Sequence, residues 1–164
     1  DRLTEIVDRI RALTDRTGSA ARYCANMLEA DDLCSDLTEE MKRSSYRLLA
    51  DAQHEITFEG QEFLQKLNPK KRIDLFLFYK ESLTNIIRHS NATRVTTRLT
   101  ANRNEVLLDI TDDGVGMPGE SSPVPASLKR RARLLGAHLD VTCPENGGTR
   151  ITLQLKTRKF GYKT

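Results

Sequence analysis

Glu81, Asn85 and His89 recur at four-residue intervals in the stretch Lys80-Glu81-Ser82-Leu83-Thr84-Asn85-Ile86-Ile87-Arg88-His89. On a helix of 3.6 residues per turn this spacing gathers a carboxylate, an amide and an imidazole into one slowly drifting stripe. Phe76, Leu83, Ile86 and Ile87 supply an apolar face beside it. The expectation is a helix buried along one side that walls a polar site with its edge. Asn85 offers an amide oxygen, a hard neutral ligand that magnesium tolerates as a single protein contact. Arg88 and His89 can meet phosphate oxygens. A plain solvent-facing helix surface accounts for the same three residues.

The second chemical stretch is Asp112-Asp113-Gly114-Val115-Gly116-Met117. An ionised carboxylate at Asp112, closing an apolar strand, can accept a hydrogen bond from an exocyclic amine. Gly114 and Gly116 lack Cβ atoms, which lets backbone approach a flat ligand. An acidic turn with permissive glycines fits these residues as well.

The elements that position them follow from periodicity. No proline precedes Pro69, and Leu3, Ile6, Val7, Ile10 and Leu13 mark a first amphipathic helix. A second runs through Leu33, Leu37, Met41, Leu48 and Leu49, with Asp31 or Asp32 placed to cap it. At His54 the period changes, and Ile56-Thr57-Phe58 reads as a short strand ending at Gly60. After the Asn68-Pro69 turn the polar-striped helix spans about 71–89. Strands follow over 94–100 and 105–112, then a Gly-, Ser- and Pro-rich loop over 114–125, and a basic helix over 127–135 stopped by Gly136. Strands at 138–142 and 149–155 flank Pro144-Glu145-Asn146-Gly147-Gly148. This order predicts an α/β two-layer sandwich, its sheet covered by helices on one face.

Composition narrows the function classes. Among 164 residues, 26 basic and 23 acidic side chains leave a net charge of +3, too mild to argue for nucleic acid. The cluster Lys129-Arg130-Arg131 with Arg133 has no interleaved aromatics for base stacking and reads as a solvated helix face. No apolar run reaches the ~18–20 residues of a membrane span, the charged start is not a signal peptide, and no membrane contact is expected. Cys24, Cys34 and Cys143 form neither a C-x-x-C pair nor an even set, so a reducing cytoplasm is the default. A first residue of Asp rather than Met favours excision from something larger.

The order E-x-x-x-N-x-x-R-H, then D-D-G-V-G-M, then G-G-T before a final strand resembles the ATP-binding domain of sensor histidine kinases. Gyrase-type topoisomerases, heat-shock chaperones and mismatch-repair ATPases share this Bergerat (GHKL) fold, a mixed, mostly antiparallel sheet under one layer of helices. The resemblance covers about residues 48–155, and the wording KESLTNIIRHSNATRV is most similar to the nitrate-sensor subfamily.

The resemblance implies ATP and Mg²⁺. Asp112 would bind the adenine amine, with Gly148 and Thr149 beside it, the latter through a shared water. Asn85 would hold the metal, Arg88 and His89 would lie near the phosphates, and Gly114, Gly116 and Met117 would line the pocket. Glu81 would polarise or orient. Catalysis of this kind is positioning and charge neutralisation. The γ-phosphoryl group would pass to a histidine on a separate dimerisation domain and then to a response regulator, with a homodimer in the intact protein. Residues 1–30 resemble part of a dimerisation helix, 31–156 the ATP-binding domain, and 157–164 a basic tail. His54-Glu55 has the acceptor dipeptide but stands at a strand start, so the acceptor is expected elsewhere. The setting would be the cytoplasm, or the cytoplasmic part of a membrane-bound sensor.

One departure bears on activity. Relatives carry a second glycine box, roughly G-x-G-L, where this chain has Ser122-Pro123-Val124-Pro125-Ala126-Ser127-Leu128. Prolines remove N–H donors and fix φ, so this lid cannot form the same phosphate cradle. That leaves a degenerate nucleotide-binding or interaction module as one alternative. A gyrase- or chaperone-type switch using Glu81 as base is the other.

Overall fold

The computed structural model describes residues 37–116 and 124–157, together with Gly18. The dimerisation-like segment at 1–30, Met117 and the tail beyond Thr157 lie outside the described residues, Gly18 apart. The elements described belong to the compact unit Leu37–Thr164.

In chain order they are α1 (Leu37–Leu48), β1 (Gln53–Glu59), α2 (Gln61–Leu64), α3 (Pro69–His89), β2 (Arg94–Ala101), β3 (Glu105–Asp112), α4 (Ala126–Leu135), β4 (His138–Thr142) and β5 (Thr149–Lys156). The five strands form one sheet in the order β1-β2-β3-β5-β4. Only the β1–β2 pair is parallel; the other three are antiparallel. The expected two-layer α/β architecture, mixed and mostly antiparallel, is what the chain adopts. The one-turn α2, which no apolar period announces, is an addition. It follows Gly60, whose left-handed φ of 71° turns the chain out of β1.

Side chains alternate across each strand, so pairing aligns the buried ones in rows. Leu99, Leu108 and Leu153 are cross-strand neighbours in one row, Thr97, Ile110 and Ile151 in the next. Five of these six are apolar and all are buried. The opposite face is polar, with Arg150 bonded to Asp109 at 2.6 Å and Gln154 to Glu105 at 2.6 Å.

Helix α3 lies against the buried face between α1 and α4. Asn68 caps its start, the side chain accepting from Lys71 N at 2.8 Å, and Pro69 occupies the first turn, where a missing N–H costs nothing. Leu75, Phe76, Phe78, Tyr79 and Leu83 are fully buried. Each large apolar side chain removed from water contributes roughly 1.5–3 kcal/mol before entropy is counted. Ile87 corrects the expected apolar face: it is 40% exposed, because at this end the buried stripe has moved on to Ile86 and Ser90. Arg88 and His89 complement the negative end of the helix dipole.

Helix α4 ends in a Schellman motif. Gly136 at φ 67° lets Ala137 N reach Ala132 O at 2.9 Å and its own N reach Arg133 O at 3.1 Å. Lys129, Arg130 and Arg133 point into solvent. Among the described residues no helix is long and apolar enough to cross a membrane.

Candidate functional site

The site is built where the end of β3 meets the end of α3 and the start of β5. Strand alternation makes Asp112 the last inward-facing residue of β3, after Val106, Leu108 and Ile110. It pairs directly with Thr149 on one side and Val95 on the other, and only 3% of its surface is exposed. Its Oδ1 accepts from Gly114 N at 2.8 Å. Oδ2 is buried and has no hydrogen-bond partner among the described residues. Burial pushes the carboxyl pKa above its ordinary 3.8, opposed by the Gly114 N–H, the Ser90 hydroxyl and the Thr149 N–H. The Ser90 hydroxyl proton itself is committed to Ile86 O at 2.8 Å.

Asp113 does the opposite. It is exposed and accepts from Thr93 N at 2.8 Å, Thr93 Oγ1 at 2.7 Å and Arg94 N at 2.8 Å. These donors hold its carboxyl below the usual range. The acidic pair therefore divides into one inward carboxylate with a free oxygen and one outward carboxylate that clamps the start of β2.

The glycines knit the site together. A Cβ on Gly114 would stand 2.1 Å from Ser90 O, and a Cβ on Gly148 (φ 83°) 1.9 Å from Asp112 O. At Gly114 the close approach is thus to the chain's own helix end, which Val115 N also grips through Ser90 O at 2.7 Å. A Cβ on Gly116 would meet Gly148 O at 2.9 Å and Cys143 Sγ at 3.6 Å. Ser90 is the site residue that the chemical pattern of the sequence does not single out. Its place as the helix-ending residue before Asn91 (φ 51°) is the one local signal it gives.

Glu81 and Asn85 are half-buried on α3, one turn apart, while Arg88 and His89 are exposed in its last turn. Glu81 has no hydrogen-bond or ion-pair partner among the described residues. The Asn85 side-chain nitrogen is buried and has no hydrogen-bond partner among the described residues. An amide presents either its oxygen or its nitrogen after a half-turn about its last bond. Among the described residues no group of three His, Cys, Asp or Glu side chains can hold a metal. This donor set suits a magnesium ion carried in by phosphate oxygens and touched by one amide. It does not suit a resident all-protein metal centre. His54 lies in β1, its Nε2 3.4 Å from Thr97 Oγ1, and His138 lies in β4.

The family model for histidine kinase-, DNA gyrase B- and HSP90-like ATPases matches residues 70–159, more than half of the chain. The chain belongs to this family. Among its relatives, the signal transduction histidine-protein kinase/phosphatase UhpB of Salmonella typhimurium is 34% identical over 95 residues, 56% of this chain and 19% of that protein. The sensor protein VraS of Staphylococcus epidermidis is 30% identical over 118 residues, 68% of this chain and 34% of that protein. The chain thus spans about a fifth to a third of these relatives. In fold it resembles the histidine kinase domain of a blue-light-activated kinase from Erythrobacter litoralis, with a TM-score of 0.59 and 17% identity over 94% of this chain and 87% of that one. It also resembles the ATP-binding domain of PrrB from Mycobacterium tuberculosis, with a TM-score of 0.56 and 20% identity over 76% and 93%. As a family member, the chain carries a histidine-kinase-type ATPase domain.

Proposed function

We propose that this chain is the nucleotide-binding catalytic part of a two-component sensor histidine kinase, acting on a histidine that a separate dimerisation domain presents. The observation that carries the reading is Asp112, a buried carboxylate whose Oδ2 has no partner among the described residues. It sits beside Thr149 in the segment matched to the family. A free acceptor at the end of the otherwise apolar inward face of β3 is costly to the fold. An exocyclic amine donor, such as that of adenine, satisfies it.

Asn85 is the residue proposed to touch Mg²⁺. A bound magnesium ion would neutralise charge on the phosphate oxygens. The chain's own contribution is orientation, with adenine held at Asp112 and Thr149 and the phosphate tail met along α3 by His89, Arg88 and Asn85. Gly114, Gly116, Met117 and Gly148 are assigned to the pocket wall. Glu81 is assigned to orienting the tail, since a histidine acceptor needs no water-activating base. A homodimer and a response regulator are the proposed partners.

The lid refines the reading. Pro125 occupies the N-cap of α4 with no side-chain cap bond, and proline offers no N–H to a phosphate. Triphosphate closure should therefore add little, and Mg-ATP and Mg-ADP should bind this chain with similar affinity.

Isothermal titration with Mg-ADP tests the site. The chain should bind, and Asp112→Asn should abolish the heat. No binding by the unaltered chain would refute the reading. Incubation with labelled ATP should give no phosphohistidine on this chain alone, and its appearance would overturn the placement of the acceptor elsewhere.

A further inference from the structure

A cavity of about 480 Å³ opens at the far end of the unit from Asp112. Its lining includes Phe63 and Leu67 after α2, Lys71 in the first turn of α3, and Asn102 and Arg103 in the β2–β3 turn. Lys66 completes the rim, its ammonium 5.0 Å from the centre of the Phe63 ring. At about 3.4 Å per strand residue, the seven steps of β3 from Glu105 to Asp112 separate the two sites by roughly 24 Å. The seventeen residue steps along α3 from its cap Asn68 to Asn85 give a similar roughly 26 Å.

The cavity is electrostatically one-sided. Lys66, Lys71 and Arg103 come from three separate segments, and none of the lining residues is acidic. None of the three has an ion-pair partner among the described residues. The turn that carries Arg103 is fixed, not loose. Asn102 Oδ1 accepts from Asn104 N and Glu105 N, and Thr157 donates its N–H to Asn104 O and its hydroxyl to Arg103 O.

The sequence also runs against local preference here. Helix starts favour acidic residues, yet the first turn of α3 has none, and Lys70, Lys71 and Arg72 stand there in succession. Local rules are broken in natural proteins at functional or strained sites. Like charges held together around a low-dielectric floor raise the potential felt by an anion entering between them.

We propose that this cavity is a second ligand site, separate from the nucleotide pocket, for a small organic anion with an apolar or aromatic body. The ring of Phe63 and the buried Leu67 receive the body, and Lys66, Lys71 and Arg103 receive the charge. The volume falls within the range of small-molecule sites.

Phenyl phosphate is the probe, titrated into the ¹⁵N-labelled chain with Mg-ADP already saturating the nucleotide pocket, and read at backbone amides. Shifts at Phe63, Lys66, Asn102 and Arg103 should saturate, while those at Gly114 and Thr149 stay fixed. Lys71→Gln and Arg103→Gln should each weaken binding about two- to fivefold, the scale of one exposed charge, and added salt should do likewise. Both side chains lie outside the core, and retained spectra show that each variant folds.

Phenol, which lacks the charge, should bind far more weakly. Absent shifts at the cavity, equal binding of phenol, or indifference to both substitutions would overturn the proposal. A response to a hexaglutamate peptide but not to phenyl phosphate would overturn it in favour of an acidic protein partner. Because the readout is local to the cavity, its failure leaves the Asp112 result unaffected.

Discussion

Asp112→Asn should make the unliganded protein more stable while removing its nucleotide binding. Asp112 is 3% exposed, and its Oδ2 lacks a partner among the described residues. A buried unsatisfied acceptor costs about 1–3 kcal/mol, and more when it carries charge. Asparagine keeps an oxygen for Gly114 N and carries no charge, while its NH2 group is still buried without an acceptor, so only the charged part of the cost is recovered. The gain should be about 1 kcal/mol at pH 7, which for a domain of this size raises Tm by about 4 °C.

The sign of the pH dependence follows from burial. The folded-state pKa of Asp112 lies above its ordinary 3.8. The native state therefore holds the proton over a pH range where the unfolded chain has released it, and the carboxylate's cost grows as pH rises through that range. The variant's advantage should be full above the raised pKa and vanish below the ordinary one, where both side chains are neutral. Thermal melts from pH 3 to 8, with and without Mg-ADP, measure both effects. A variant less stable than the parent at pH 7 would show that Oδ2 has a structural partner. An undiminished ADP-induced rise in Tm would show that Asp112 does not hold the base.

Asp113→Ala should have the opposite pH signature. The lowered pKa means that stabilisation from its three donors is present above 3.8 and lost as pH falls through the folded value. Urea melts should therefore show the variant weaker at pH 7 and nearly equal to the parent in strong acid. Gly148→Ala forces φ 83° on an L-residue and drives a Cβ to 1.9 Å from Asp112 O. It should cost about 1–3 kcal/mol from the backbone alone, visible as a lower urea midpoint together with lost ADP binding. Asn85→Ala removes a half-buried amide whose nitrogen bonds nothing among the described residues. The melt should barely move, while the magnesium-dependent part of ADP affinity disappears in titration.

Much of the architecture is legible in the order of residues alone. The 3.6-residue period marks α3, the two-residue period marks β3, and Asn68-Pro69 and Gly136 mark helix ends, because these signals depend on side chains only a turn apart. The short α2 is not legible, since a single turn carries no period. Ile87 falls on the expected buried face because four residues at helical spacing form a stripe, but where that stripe meets the core depends on neighbouring elements.

The sequence by itself determined that Asp112 closes an inward-facing strand pattern and that Asn85 shares a helix edge with Glu81 and His89. Only the tertiary structure decided what those residues face. Strand register set Asp112 against Thr149, and helix–sheet packing brought Ser90 to within reach of Gly114, so that the glycine serves the fold itself. The cationic cavity is wholly of this second kind. Phe63 and Lys71 are far along the chain from Arg103 and Thr157, and no local period records that folding brings the two pairs together.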